Sequence, residues 1–266
     1  MNLPFIKMNG AGNDFILIDN RTLHLRFTPH EIAHLCHRKL GIGADGLMTL
    51  DTPQANEDFV MHYYNADGSQ ASMCGNGGRC IAMFAHLLGF GQAITFLASD
   101  GMHHAEIIQW DNNRMQGIVK LGMQPVVVAD ITTTPHGTYL NTGVPHCVKW
   151  VEDIDNIDVK AEGRRIRNEA IFAPEGTNVD FIEADGSGNL RIRTYERGVE
   201  DETWACGTGV TAAAIVANTH SLMAVGGNFM VDWDTPTPDT IEHITLTGPV
   251  EVNFKGEWTY LAPTTI

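Results

Sequence analysis

Two stretches of the chain are apolar almost all the way round. Cys80 to Leu88 and Val210 to Ala217 contain no Asp, Glu, Lys or Arg. A helix without a polar stripe has to be covered on every side, so both stretches predict helices buried at the centre of something. The first stops at Gly89, a residue suited to a left-handed C-cap. Shorter apolar or alternating runs, Phe59 to Tyr64, Ala93 to Ala98, Leu190 to Tyr195 and Ile241 to Leu246, predict strands. Thr28-Pro29-His30-Glu31 has the spacing of a capping box with Pro at the first helical position, which predicts a helix running to about Lys39. Strand-rich halves that each hold one wholly buried helix imply an α+β fold with sheets wrapped about a central helix, not a doubly wound βαβ sheet.

The pattern is written twice. Gly10-Ala11-Gly12-Asn13-Asp14-Phe15 is answered by Asn141-Thr142-Gly143-Val144-Pro145-His146, each leading into an apolar run. Gly41 to Leu47 is answered by Pro174 to Asp180, and Met73-Cys74-Gly75-Asn76-Gly77 by Ala205-Cys206-Gly207-Thr208-Gly209. The spacings agree: Gly12 and Cys74 are 62 positions apart, Gly143 and Cys206 63. An internal repeat of this length predicts two similar, pseudo-symmetric domains. We expect an N-terminal domain over 1–122 carrying Cys74 and a C-terminal one over 123–255 carrying Cys206, with a final strand at about 256–266 returning to the first.

Composition narrows the partners. With 17 Lys and Arg against 32 Asp and Glu, the formal charge is −15. So acidic a surface repels nucleic acid and anionic lipid, and neither is expected as a partner. No apolar run approaches the ~20 residues that span a bilayer, and the first residues do not read as a signal peptide. The five cysteines at 36, 74, 80, 147 and 206 are odd in number and scattered, which argues for thiols in a reducing cytoplasm.

Cys74 and Cys206 stand just ahead of the two buried helices, each followed by glycines. Backbone N–H groups at a helix start have no internal partner and carry the positive end of the dipole, so a thiol there is expected to ionise below its usual ~8.5, near 7 or lower. The glycines let a carboxylate approach those N–H groups. Two such starts facing one ligand suit inversion of a stereocentre. One thiolate removes the α-proton while the other thiol protonates the opposite face, and the helix starts stabilise the carbanion without an electron-sink cofactor. Cys36, Cys80 and Cys147 sit in apolar context and read as small buried hydrophobes.

These words together resemble the signature of the diaminopimelate epimerase family: Lys7 to Phe15, Asn65-Ala66-Asp67-Gly68-Ser69, Cys74 to Cys80, Tyr195-Glu196-Arg197-Gly198 and Ala205 to Gly209. The resemblance covers nearly the whole chain. It implies two similar domains with the active site between them, interconversion of LL- and meso-diaminopimelate, no cofactor and no metal, and a homodimer. Carried over by position, Cys74 and Cys206 match the acid–base pair, and His146 and Glu196 the pair that tunes the thiols. Asn13, Asn65, Asn178, Glu196 and Arg197 match substrate-holding positions. Gly75-Asn76 and Gly207-Thr208 match the backbone cradle for the reacting carboxylate. An arginine suits the distal carboxylate of a diamino diacid, and Glu196 with the amide oxygens suits its ammonium groups.

The chain departs from some family members at Gly46, where they carry Gln, and at Val144, where they carry Asn. The loop holding Glu200-Asp201 is also a residue longer than in some. The alternative within enzymes is a proline-racemase-like enzyme acting on a cyclic imino acid, against which the Glu196-Arg197 pair speaks. A metal or redox module would use His34, Cys36 and His37, or Cys74 with Cys80, but His34 and Cys36 diverge on a helix and no second cluster matches. A cysteine hydrolase needs one Cys–His pair and not a duplicated Cys site.

Overall fold

The computed structural model describes residues 2–259 except Ser72 and Ser187. The chain divides into two compact units, one built from Met1–Met73, Gly77–Val119 and Val250–Ile266, the other from Cys74–Asn76 and Lys120–Pro249.

The first unit runs β1 (Asn2–Gly10), β2 (Asn13–Asp19), α1 (Pro29–Cys36), β3 (Gly46–Asp51), β4 (Phe59–Asn65), β5 (Gln70–Ala71), α2 (Gly75–Leu87), β6 (Ala93–Ala98), β7 (Gly101–Asp111) and β8 (Gln116–Gly122). β1 and β2 form an antiparallel pair, β2 and β3 are parallel, β3 and β4 antiparallel, and β4 and β6 parallel. Residues 75–85 of α2 are all buried, Asn76 and Arg79 among them, and the apolar run from Cys80 to Ala85 is covered on every side as its lack of a polar stripe requires. The methyl of Met83 presses on Gly117 of β8, where a Cβ would come within 2.4 Å of it.

The second unit repeats that plan. Its elements are β9 (Val126–Val127), β10 (Thr132–Thr134), β11 (Gly137–Asn141), β12 (Pro145–Trp150), α3 (Val159–Arg167), β13 (Asn178–Ala184), β14 (Leu190–Glu196), β15 (Asp201–Thr203), α4 (Gly207–Ala217), β16 (Ser221–Ala224), β17 (Gly227–Thr237) and β18 (Thr240–Thr259), whose residues from Val250 on belong to the first unit. Here β11 and β12 are antiparallel, β12 and β13 parallel, β13 and β14 antiparallel, and β14 and β16 parallel. α4 packs against β11, β12, β13, β14, β16 and β17. Ala212, Ala213 and Ala214 are fully buried there, because only a methyl-sized side chain lets so many strands close on one helix. The end of β18 pairs along β1 from Asn9↔Glu251 to Asn2↔Thr259. Residues 260–266 of the expected final strand lie outside the described residues.

One expectation about an element is corrected. The first helix has its capping box, with Thr28 Oγ1 accepting from Glu31 N at 3.3 Å and Glu31 returning to Thr28 N at 2.7 Å, but ends at Cys36. The His37 ring takes the N–H groups of both Lys39 and Leu40, and those of Ile42 and Gly43 turn back to the Leu35 carbonyl. Cys74, with Gly75 and Asn76, falls in the second unit while standing in the first of the two sequence repeats. The Asn76 side chain explains this by donating to the Ala205 carbonyl at 2.8 Å.

Candidate active site

In the second unit the two Cys-Gly helix starts lie side by side. A Cβ on Gly207 would stand 3.2 Å from the Cα of Gly75, so the two backbones touch where both residues are glycine. Cys206 is the N-cap residue of α4 and is buried, while Cys74, one residue ahead of α2, is half-buried. Gly75, Asn76 and Gly207 are buried beside them.

Strand register brings the polar partners to Cys206. Parallel pairing sets Asn178 opposite His146, and antiparallel pairing sets Asp180 opposite Thr194. Period-two alternation then puts Asn178 and Asp180 on one face of β13, and Thr194 and Glu196 on one face of β14. His146 is fully buried, with Nδ1 2.7 Å from Asp180 Oδ2 and Nε2 2.9 Å from Thr208 Oγ1. Thr208 Oγ1 lies 3.3 Å from Cys206 Sγ. Glu196 accepts from Thr203 Oγ1 at 2.7 Å and is hydrogen-bonded to the Cys206 thiol.

The electrostatics differ from expectation at Cys206. Burial first, then the negative charges of Glu196 and Asp180, push its thiol well above the ordinary range; the Thr208 hydroxyl and the Gly209 N–H pull the other way and lose. The helix start therefore does not by itself produce a thiolate in the ligand-free protein, which corrects the lowered value expected from helix position. Burial likewise pushes the Glu196 carboxyl up, against hydrogen bonds from Thr203 and Cys206. Cys36 and Cys147 are pushed up to about 12 and about 11 by burial, and with Cys80 they are core residues.

The remaining expected positions fall into two groups. Asn178 is buried, and its amide donates to the Pro145 carbonyl at 2.9 Å and accepts the Arg197 N–H at 2.8 Å. Arg197 has only loose contacts, 3.4 Å to the Glu175 carbonyl and 3.7 Å to its carboxylate, so its guanidinium has donors to offer an anion. The loop after it is anchored by Glu200, which accepts from Tyr195 Oη and Gly198 N, both at 2.9 Å. Val144 is half-buried in the turn leading to β12, its carbonyl accepting from Thr142 N at 3.2 Å.

Asn13 and Asn65 belong to the first unit. Asn13 donates to Asp45 at 2.8 Å, and Asp45 is bound in turn by Arg38 at 2.7 Å. Asn65 is exposed and donates to Ser69 Oγ at 3.1 Å across a tight turn. Gly46 leaves no space for a glutamine: a Cβ would come within 2.6 Å of both the Tyr63 ring and the Tyr64 carbonyl. Among the described residues no three His, Cys, Asp or Glu side chains gather as a metal site, and no helix is long and apolar enough to cross a membrane.

Asp180 was missed by the sequence reading. Its signal was present: an acidic residue between Val179 and Phe181, in a strand otherwise apolar at that point, has to be paired if it is buried.

Comparison with known proteins agrees with the duplicated plan. The sequence model of the family described as diaminopimelate epimerase matches twice, over residues 5–127 and 138–260. The diaminopimelate epimerase of Flavobacterium psychrophilum is 41% identical over 95% of this chain and 99% of its own length. That of Chlorobaculum tepidum is 40% identical over 94% and 98%. Among solved structures, a phenazine biosynthesis protein of the PhzF family from Bacillus anthracis superposes with a TM-score of 0.70 at 13% identity, covering 98% of this chain and 100% of that one. A hydroxyproline epimerase from Agrobacterium vitis, with bound trans-4-hydroxy-L-proline, gives 0.65 at 15% identity, covering 96% and 92%. Such low identities show a shared fold alone. With two copies of its sequence model in one chain and about two-fifths identity along nearly the whole length, the protein belongs to the diaminopimelate epimerase family.

Proposed function

We propose that this protein interconverts LL- and meso-2,6-diaminopimelate by a two-base mechanism without a cofactor, supplying lysine and peptidoglycan synthesis. The observation that carries the reading is the contact of the two Cys-Gly helix starts at Gly75 and Gly207. Each of these glycines directly follows one of the two cysteines, so the positive ends of both helices are neighbours.

In this mechanism one of Cys74 and Cys206 removes Hα as thiolate and the other delivers a proton to the opposite face. The helix N–H groups after Gly75 and Gly207 hold the α-carboxylate and stabilise charge that develops on it. Arg197 takes the distal carboxylate as a two-pronged donor. Asn13, Asn65 and Asn178 position the substrate, Asn178 by fixing the backbone that carries Arg197. His146 and Glu196 set the proton inventory of the thiols. The raised thiol of Cys206 fits an acid in the resting protein, which becomes a base once its proton has been moved.

The protein is read as two repeat domains, 1–122 and 123–255, acting in the cytoplasm as a homodimer. The homodimer rests on the family resemblance alone, and the cytoplasmic reading on the scattered, odd-numbered thiols. The deciding experiment incubates the protein in tritiated water with LL-diaminopimelate, meso-diaminopimelate and L-proline in parallel. Label should enter Cα of the two diaminopimelates and not proline. Label entering proline alone would transfer the reading to the cyclic imino acid.

A further inference from the structure

Asp180 and the hydroxyl of Thr208 have no role in the mechanism above, yet they complete a line of hydrogen bonds that ends on the sulfur of Cys206. Asp180 is fully buried. Its Oδ1 accepts from Thr194 Oγ1 at 2.8 Å and its Oδ2 stands 2.7 Å from His146 Nδ1. With Thr194 donating to Oδ1, an Nδ1 proton on His146 gives Oδ2 its own donor, and that tautomer turns Nε2 to Thr208 as an acceptor. Thr208 is itself pinned, its carbonyl accepting from Thr142 Oγ1 at 2.9 Å. The packing around this line is tight: a Cβ on Gly209 would fall 2.4 Å from Asp180 Oδ1 and 3.2 Å from the His146 ring.

We infer that Asp180, His146 and the Thr208 hydroxyl form a proton relay that converts the buried Cys206 thiol to thiolate without a proton entering solvent. The Sγ–H bond breaks as Thr208 Oγ1 takes that proton, and the hydroxyl proton of Thr208 passes to His146 Nε2. A neutral thiol and imidazole become thiolate and imidazolium; the Asp180 carboxylate keeps its charge beside the new cation, and no electrons are gained or lost. The reverse transfer restores the thiol. Asp180 acts here as a positioning residue, through His146. The inference rests on the reading that Cys206 carries a proton to and from Cα.

Among the described residues, the titratable groups that face this line are Asp180 from β13, Glu196 from β14, His146 from β12 and the Cys206 thiol ahead of α4; β11 and the turn after it present Leu140 and Thr142. Glu196 and Asp180 both oppose a negative charge on Cys206 through space. This gives the relay a signature of opposite sign. If Asp180 acted on Cys206 by bare charge, D180N would make the thiol ionise more readily. If it acts by stabilising the imidazolium, D180N makes the thiol ionise less readily.

The test follows alkylation of Cys206 by iodoacetamide against pH in the full-length protein without substrate, read by peptide mass spectrometry. D180N should move the half-maximal pH upward by about one unit or more. T208V should move it in the same direction, and the double variant no further than the larger single shift. T208S, which keeps the hydroxyl, should bring the alkylation profile back toward wild type. With diaminopimelate, D180N should lose on the order of 10²-fold in kcat, with KM changed by less than about twofold. An alkylation profile in D180N that is unchanged or moves to lower pH overturns the relay, as do D180N and T208V shifts that add in full. Should D180N fail to fold, T208V against T208S carries the same decision. If the wild-type protein leaves diaminopimelate untouched while D180N still moves alkylation upward, the substrate reading fails and the relay stands.

Discussion

The side-chain oxygen of Asn178 accepts the backbone N–H of Arg197 at 2.8 Å, and the same amide donates to the carbonyl of Pro145 at 2.9 Å. One buried side chain thus ties the residue before His146 to the residue that carries the guanidinium. Asn178→Ala removes both bonds and leaves a half-buried N–H and a buried carbonyl without this partner, at a cost of about 1–3 kcal/mol. Arg197 then loses its fixed backbone, so KM for diaminopimelate should rise more than kcat falls. Thermal unfolding and steady-state kinetics read the two effects; a variant with unaltered melting and KM would show that the amide bridge is idle.

Arg197 itself has only long contacts to Glu175, 3.4 Å and 3.7 Å, so little of its guanidinium is committed within the protein. Arg197→Lys keeps the charge and loses the planar fork that meets both oxygens of a carboxylate. KM should rise well beyond a conservative change, on the order of tenfold or more, consistent with loss of one charge-assisted hydrogen bond of about 1.5–3 kcal/mol. An unchanged KM would remove Arg197 as the distal anchor.

Gly207→Ala tests the touching helix starts. The new methyl would meet the Gly75 Cα at 3.2 Å and Leu246 at 3.0 Å, contacts that the backbone relieves by separating the two starts by a few tenths of an ångström. Stability should fall only modestly, by roughly 1–3 kcal/mol as overpacking does. kcat should fall by a larger factor, because a small misplacement of reacting groups costs on the order of 10²-fold. Equal fractional losses in stability and rate would mean that the contact is merely structural.

Acid stability of the first unit should centre on Asp14. Burial pushes its carboxyl up, but Arg38 and Lys7 together outweigh burial and hold it at about 2. A carboxyl lowered from 3.8 stabilises the folded state above that value, and the contribution disappears as pH falls through about 4 toward 2. Allowing for partial solvent screening, the loss amounts to about 1–2 kcal/mol. Urea midpoints measured between pH 5 and 2 should decline over this window in the wild type and decline less in Asp14→Asn. Parallel declines would place the acid sensitivity elsewhere.

The repeat was legible because it is written in residues that backbone geometry demands. Gly12 and Gly143 both adopt positive φ, at 93° and 115°, and the two apolar helices could only be central. The helix starts and both cysteines followed from the same words. What the sequence hid depends on cross-strand register. Nothing local to Asp180 says that a parallel pairing sets Asn178 against His146, and so puts a carboxylate within 2.7 Å of that ring. The protonation of Cys206 was misjudged for a related reason. Helix position is visible in sequence, whereas the burial of Cys206 and the approach of Glu196 from another strand are tertiary facts, and here they outweigh it. The first helix ended early because the His37 ring captured two N–H groups, a competition that the cap signal at Thr28 does not report.

The two-thiol mechanism makes its sharpest demand on single-cysteine variants. Replacing either Cys74 or Cys206 by Ala removes one of two proton carriers, and inversion at Cα then has no donor or acceptor on that face. Loss of a proton-transfer partner commonly costs ~10²–10⁴-fold, so each variant should be nearly inactive for epimerisation in both directions. Serine is more informative. A hydroxyl is a far weaker base than a thiolate, but elimination of a β-halogen from a halogenated diaminopimelate needs only one base, which takes Hα as the halide leaves. The surviving cysteine should therefore select the stereoisomer: Cys74→Ser should release halide from one Cα configuration and Cys206→Ser from the other. A mechanism with a single nucleophilic cysteine requires instead that one variant be dead and the other nearly normal on both isomers. Halide release by the two variants on each of two stereoisomers gives four rates, and only a crossed pattern among them is compatible with one base on each face of the carbon.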